Sequence, residues 1–368
     1  MRILLVTPLF FPSLSGAAVY FDTLSQALVK LDPASAVTIL TRAIPGAPRR
    51  EWRGPVRVSR LLPGRPLAPR ARAVERLASV QTVVMALLMA RLLRSDVVHY
   101  HTLVSYRAIH RLAPLFPAPL VGDMRDLAAK HEGASLRYYE HCSKLICASE
   151  NILGFLRAAG FPADRLVHIP IPFVPPVPAP AGLAAKARAR YGIPEGTPYL
   201  LFIGAIIPYK GVKEILAAMD TVWRDLPDLH LVLAGPLTPD GDALFPGGFR
   251  AAAGRDHRLH YVGPVPHEDI PLLVQDAAVF ILPSRTEGLP RASLEAIALG
   301  RKVILPPGIP EFDAACPDAV LDEITPEAIA RKITATWERG RPATYPLARH
   351  DATRVAALTR DVYRDVAR

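Results

Sequence analysis

Pro283-Ser-Arg-Thr-Glu-Gly-Leu-Pro-Arg-Ala-Ser-Leu-Glu295 decides the fold. It follows an apolar run, Val279 to Leu282, of strand length, and another apolar run, Lys302 to Leu305, comes after it. Between them lie a glycine-containing loop and a segment, Arg291 to Leu299, with apolar residues at helical spacing. Strand, loop, helix, strand is the unit of a parallel sheet with crossover helices. Pro290 suits the first helical turn. The amides of Arg291, Ala292 and Ser293 then sit at the positive helix end, which binds a diphosphate well. Two carboxylates eight residues apart frame it. Glu295, one turn inside the helix, is placed to accept two hydrogen bonds from vicinal ribose hydroxyls. Glu287, on the loop, falls nearer a sugar or a scissile phosphate.

The same alternation runs outward from this stretch. Upstream, the strands Tyr199 to Ile203, His230 to Ala234 and His260 to Val262 and the helices Val212 to Leu226 and Ile270 to Asp276 complete one doubly wound unit. Before them, Pro170 to Pro180 can neither continue a helix nor pair centrally in a sheet, so it reads as a semi-rigid linker. Beyond it the pattern recurs. Arg2 to Thr7 reads as a strand, Leu9 to Gly16 as a loop, Ala17 to Leu31 as a helix, and Ala36 to Leu40, Val97 to Tyr100, Pro119 to Gly122 and Lys144 to Ala148 as further strands. The expected organisation is therefore two Rossmann-like domains, 1–170 and 184–345, a Pro-rich linker at 171–183, and a terminal segment 346–368 with helical spacing. Two such sheets are expected to face each other across a cleft that takes ligands at their carboxyl edges.

The chain has 368 residues, half of them hydrophobic, which is ample for two packed cores and argues against disorder along most of its length. Cys142, Cys147 and Cys316 have no metal-ligand spacing and read as reduced thiols of a cytoplasmic protein. The formal charge is +10, and much of the excess sits between residues 49 and 94: eleven arginines there face only Glu51 and Glu75. Two readings of that segment stay open: solvated surface around a packed helix, or a face for an anionic membrane. A nucleic-acid binder would share the charge, but no recognised module or interleaving of aromatic and basic residues appears. A dinucleotide oxidoreductase would need Gly-x-Gly-x-x-Gly after the first strand, which Ser13-Leu-Ser-Gly-Ala-Ala18 does not supply.

The order strand, Pro-Ser, Glu-Gly-Leu-Pro, Glu-Ala-Ile-Ala-Leu-Gly, strand resembles the nucleotide-sugar motif of the GT-B glycosyltransferases, specifically the retaining glycosyltransferase family 4. The resemblance extends over nearly the whole chain. Phe202-Ile-Gly204 followed by Lys210-Gly211-Val212, Leu233-Ala-Gly235, Tyr261-Val-Gly263-Pro-Val265, and Asp276-Ala-Ala-Val-Phe-Ile-Leu-Pro283 resemble family segments. It implies a donor site formed by Gly16, Ala17, Gly204, Lys210, Val265, Glu287, Gly288, Leu289, Pro290, Arg291, Ala292 and Glu295. Lys210 would neutralise the diphosphate, and Val265 would lie near the nucleobase. Ser15-Gly16-Ala17 stands where a Gly-Gly pair is common, and Ala205 where the family often has arginine.

In the first domain Asp96-Val-Val-His-Tyr-His101 and Ser143 to Glu150 resemble family strands, but a strand that often ends in His-Asp ends here in Asp123-Met-Arg-Asp126. Arg125 takes the histidine's place. A guanidinium holds phosphate or an acidic acceptor but is no general base. Asp123, Asp126 and His131 are the candidates for proton handling. His99 and His101 flank Tyr100, so one is expected to face the ligand and the other to pack, with His101 as the catalytic candidate beside Glu287, Lys210 and Asp126. The implied reaction is transfer of a sugar from a nucleotide diphosphate to an acceptor hydroxyl, soluble or lipid-linked, with retention at the anomeric carbon. No metal or other cofactor is expected. A sugar-nucleotide 2-epimerase of the same architecture is the alternative, and nucleic acid is not an expected partner. The segment Asp351 to Val366 is expected, by resemblance, to cross back onto the first domain.

Overall fold

A computed structural model describes residues 1–12, 15–64, 72–101, 106–125, 139–238, 245–254 and 256–368. The chain divides into two units, Met1–Val174 with Ala348–Arg368, and Pro175–Leu347.

In the first unit the elements run β1 (Arg2–Val6), α1 (Gly16–Leu31), β2 (Ala36–Arg42), β3 (Arg50–Arg53), β4 (Val56–Leu62), α2 (Arg72–Leu92), β5 (Val97–His101), α3 (Tyr106–Leu112), β6 (Leu120–Met124), β7 (Lys144–Cys147), α4 (Glu150–Ala158) and β8 (Leu166–His168). Its sheet has the order β3-β4-β2-β1-β5-β6-β7-β8. Every ladder is parallel except the β3–β4 hairpin at one edge. Ile3 to Val6 and all of β5 are buried, as strands covered on both faces must be. Ser15 caps α1 by accepting the Ala18 amide at 3.1 Å, which places the end of the β1 loop.

The hairpin is where sequence and structure part. Residues 49–62, the start of the basic segment in which no strand was expected, carry two strands. Arg60 is 2% exposed, and its guanidinium donates to the Phe11 carbonyl at 2.7 Å, to the Pro48 carbonyl at 2.9 Å and to Glu51 at 2.6 Å. Arg53 pairs with Asp22 at 3.0 Å and stacks 4.6 Å from the Phe11 ring. These two arginines tie the hairpin to the β1 loop and to α1. They are structural charges.

The second unit runs α5 (Ala181–Arg190), β9 (Tyr199–Ile203), α6 (Val212–Asp225), β10 (His230–Ala234), α7 (Phe245–Ala253), β11 (Leu259–Gly263), α8 (Ile270–Asp276), β12 (Val279–Ile281), α9 (Arg291–Ala298), β13 (Lys302–Ile304), α10 (Pro310–Ala315) and α11 (Pro326–Arg339). Its five strands, in the order β11-β10-β9-β12-β13, are all parallel. The order reverses between β9 and β12, the kind of place where open α/β sheets take ligands. In the first unit the reversal lies between β1 and β5. Helix α12 (Ala352–Val366), capped by Asp351 on the Arg354 amide at 2.8 Å, belongs to the first unit and packs on α1. The expected linker is shorter than the proline run suggested. Ile171 and Phe173 are buried in the first unit, where Phe173 bridges Asp351 and its amide donates to the His350 carbonyl.

At the amino edge of the second sheet His230 and His260 stack, with Nδ1 and Nε2 2.8 Å apart. Burial, then the positive charge of His257 and Arg258, lowers the His230 pKa below the ordinary 6.5, and burial and His230 itself do the same for His260. Asp256 acts in the opposite direction on His230. The unfolded chain therefore takes up protons near pH 6.5 while the folded chain does so only below it. Stability is full above that value and is lost as the pH falls through the folded-state values. The thermal midpoint is expected to fall between about pH 7 and about pH 5, and His260→Gln to flatten that dependence. An unchanged slope in the variant would remove the pair as its source.

Candidate functional site

The carboxyl edge of the second sheet is built by close backbone packing. Gly235 has φ +144°, and a Cβ there would lie 1.8 Å from the Gly204 carbonyl oxygen, so the turns after β9 and β10 press together only because Gly235 lacks a side chain. The Gly204 amide donates to Ala234 at 3.0 Å and the Gly235 amide to Gly263 at 2.8 Å, stitching the ends of three strands. Gly211, at φ +74°, ends the turn that carries Lys210 and begins α6. A Cβ on Gly211 would meet the Pro283 carbonyl oxygen at 2.1 Å.

That contact brings the Lys210 turn against the loop that follows β12. The Arg285 amide donates to the Tyr209 carbonyl at 2.9 Å, and the Arg285 guanidinium pairs with Glu214 at 2.6 Å. Between these ties Lys210 Nζ donates to Glu287, both side chains being largely buried. Two residues expected to act on the same ligand, 77 positions apart, are thus partners across the β9/β12 reversal. Gly288, Leu289 and Pro290 are buried beneath the loop.

Pro290 lies one residue earlier than expected: extended at φ −73° and ψ 118°, it precedes α9. The Ser293 amide is not open to a ligand, because it donates to the Pro290 carbonyl at 3.2 Å. Arg291 and Ala292 retain the first-turn positions, whose amides precede the helix's own ladder. The buried Ser293 Oγ has no hydrogen-bond partner among the described residues. Glu295 is 5% exposed and lies 3.3 Å from the Arg291 Nε one turn away. Burial raises the Glu295 pKa and lowers that of Arg291, each partner opposing the shift in the other. A buried carboxylate of this kind gains from further hydrogen-bond donors. His267, past Val265 on the loop after β11, is depressed by burial and then by the field of Arg291.

In the first unit Gly16, exposed, and Ala17, half-buried, open α1. His99 and His101 do not divide as expected. Strand side chains alternate, so both project to one side of β5, against Phe21 at ring distances of 5.6 and 6.1 Å, and both are buried. Tyr100 is the residue that turns the other way, to His141 and Cys142 at 2.9 Å each. His99 Nδ1 lies 2.6 Å from the Tyr363 hydroxyl of α12, and its Nε2 lies 3.3 Å from Asp123. Asp123, 1% exposed, accepts from the Arg125 Nε at 2.8 Å. Burial opposes its ionisation, but Arg125 and His99 outweigh that and hold the carboxyl well below the usual range. Arg125 stacks 3.8 Å over Tyr20, and its Nη2 has no hydrogen-bond partner among the described residues. Asp126 and His131 lie outside the described residues.

Tyr20 and Tyr363 were not singled out by sequence reasoning. Tyr20 carried a signal, its place on the apolar face of α1. Tyr363 carried none beyond helical spacing, since its partner is 264 residues away.

Residues 184–339 match the family described as Glycosyl transferases group 1, and residues 14–173 match Glycosyltransferase Family 4. An alpha-D-kanosaminyltransferase of Streptomyces kanamyceticus is 32% identical over 122 residues, 33% of this chain and 30% of that protein. A D-inositol 3-phosphate glycosyltransferase of Arthrobacter sp. (strain FB24) is 27% identical over 293 residues, 72% of this chain and 66% of that protein. The chain thus spans from 30% to 66% of the length of these two curated relatives. Among solved structures, sucrose-phosphate synthase from Thermosynechococcus elongatus aligns with a TM-score of 0.79 at 20% identity, covering 99% of this chain and 98% of that one. Anabaena HepE in complex with UDP and glucose aligns at 0.75 with 16% identity, covering 99% and 100%. At these identities the likeness is one of fold.

Gly211→Ala is expected to push the Lys210 turn off Pro283 and to cost about 2 kcal/mol through strain at positive φ and the backbone clash. A thermal midpoint equal to that of the wild type would show that the turn does not need this contact.

Proposed function

Because the chain belongs to the GT-B glycosyltransferases of glycosyltransferase family 4, we propose that it transfers a sugar from a nucleotide-diphosphate donor to an acceptor hydroxyl, with retention and without a metal. The single observation that carries this reading is the β9/β12 edge of the second unit. There the Lys210–Glu287 pair, the first turn of α9 and the buried carboxylate of Glu295 lie along one stretch of loop and helix. HepE, at 16% identity, has been crystallised with UDP-glucose, which supports a nucleotide-diphosphate sugar as the donor class.

In this reading the ribose hydroxyls donate to Glu295, satisfying a carboxylate that burial disfavours. The amides of Arg291 and Ala292 and the ammonium of Lys210 face the diphosphate, and Glu287 turns from Lys210 to the sugar. Val265 borders the base. The bond between the anomeric carbon and the phosphate oxygen breaks, the acceptor oxygen bonds to that carbon, and the nucleoside diphosphate leaves as an anion. Fixed positive groups stabilise the charge that develops on the leaving phosphate. The acceptor proton passes to a base, for which His101 and Asp123 are the described candidates beside Asp126 and His131, while Arg125 holds a phosphate or an acidic acceptor. The acceptor is a hydroxyl of a soluble or lipid-linked glycan or of a small molecule, and the setting is the cytoplasm.

Glu295→Ala is expected to weaken nucleoside-diphosphate binding by about tenfold to a hundredfold, the loss of one or two hydrogen bonds to a charged group. Lys210→Ala is expected to lower kcat by about a hundredfold. Isothermal titration with UDP, GDP, dTDP and ADP, together with donor turnover, measures both, and unchanged constants in the two variants would sink the site. Turnover is expected to persist in excess EDTA, whereas recovery only on adding a divalent cation would overturn the metal-free reading. Donor consumed without acceptor to give an epimer would favour the 2-epimerase instead.

A further inference from the structure

Helix α2 has an outward face that is wrong for water. Its inward side is filled by Val83, Ala86, Leu87, Met89 and Ala90, all buried. The opposite side of such a helix is normally polar. Here Leu77, Val80, Val84, Leu88 and Leu92 are between 38% and 75% exposed. Their spacing of three and four residues aligns them in one stripe, about 22 Å long at 1.5 Å per residue. Leu115, 51% exposed, extends it at one end, where the Arg91 Nη2 donates to the Leu115 carbonyl at 3.3 Å. Single exposed leucines are ordinary, but a continuous row of them marks an interaction surface.

Charge says what covers it. From residue 65 to residue 94 the sequence holds Arg65, Arg70, Arg72, Arg76, Arg91 and Arg94 against one acid, Glu75. Arg72 and Arg76 belong to the first turns of the helix, and Arg91 and Arg94, both exposed, lie at its far end, so the sequence carries arginine at both ends of the helix. A second copy seated on the stripe would set arginine against arginine. An anionic bilayer suits both features at once: the apolar row enters the boundary between headgroups and acyl chains, and the guanidiniums meet lipid phosphates. No helix among the described residues is long and apolar enough to cross a membrane. We infer that α2 docks this protein flat on an anionic membrane surface, with Leu77, Val80, Val84, Leu88 and Leu92 as the inserted row. Arg53 and Arg60, from the same basic stretch, take no part, being committed to Asp22 and Glu51. The inference does not depend on the sugar-transfer reading.

The test is sedimentation of the full chain with phosphatidylcholine vesicles, with and without phosphatidylglycerol, alongside the oligomeric state in solution by light scattering. The expected result is binding to the anionic vesicles that weakens as salt rises. Leu88→Glu and Val84→Glu are each expected to reduce that binding by about tenfold or more, because the charge sits at the centre of the inserted row. Both positions are exposed, so an unchanged thermal midpoint certifies the fold. Arg91→Glu is expected to weaken binding to anionic vesicles alone. The inference is overturned if the wild type fails to bind anionic vesicles at low salt, or if the glutamate variants bind as it does. It is also overturned if the wild type is a dimer that Leu88→Glu converts to monomers without changing vesicle binding.

Discussion

Burial of parallel strands on both faces is the constraint from which the rest follows. Strands such as β9 and β12, and β10 after its first residue, are apolar, because helices cover each side and a polar side chain within them would be desolvated without a partner. Charged groups gather instead where the strands end. In the second unit the reversal between β9 and β12 holds the turns after these strands side by side, and the missing side chain at Gly211 sets how closely they approach. Lys210 and Glu287 become partners by that route. Their pairing is a consequence of strand order.

The first unit departs from the same rule at a few buried polar residues, and His99 shows how such a residue is held. His99 is a polar side chain inside a fully buried strand, and it is tolerated because Tyr363 and Asp123 lie on either side of its ring. Tyr363 comes from the last helix, so the chain's final segment completes the polar core of the unit that its first segment begins. Asp123 in turn is held by Arg125, which lies over Tyr20. The group is a buried network in which Arg125 and Asp123 pair directly, and removing either of the two leaves the other a desolvated charge.

Legibility in the sequence followed distance along the chain. The loop and helix from Pro283 to Glu295 were readable because every cue, proline, glycine and two acids, falls within thirteen residues. The doubly wound alternation was readable because buried strands are continuous apolar runs. The β3–β4 hairpin was hidden because its strands carry arginines, and nothing local distinguishes Arg60, which is buried on carbonyls, from an arginine in solvent. His99 and His101 are a different case: the alternation of strand side chains already required both on one face, and the expectation that they divide ignored it. The Lys210–Glu287 and His99–Tyr363 contacts depend on strand order and on the return of α12, neither of which a local pattern encodes. In α2 a sequence apolar on all sides does not tell which face meets the sheet.

Within the proposed reaction the first unit poses a proton problem that its charges narrow. Arg125 carries a guanidinium that stays protonated, so it cannot accept the acceptor's proton. Asp123 is held ionised by Arg125 and His99, and a carboxyl kept far below its usual range is a weak base. These two residues form a fixed ion pair rather than a relay. His101 differs from both in being an imidazole, at the end of β5 and on the same side of that strand as His99. Within the proposed reaction His101 is thus the remaining candidate for that proton among the described residues of this cluster.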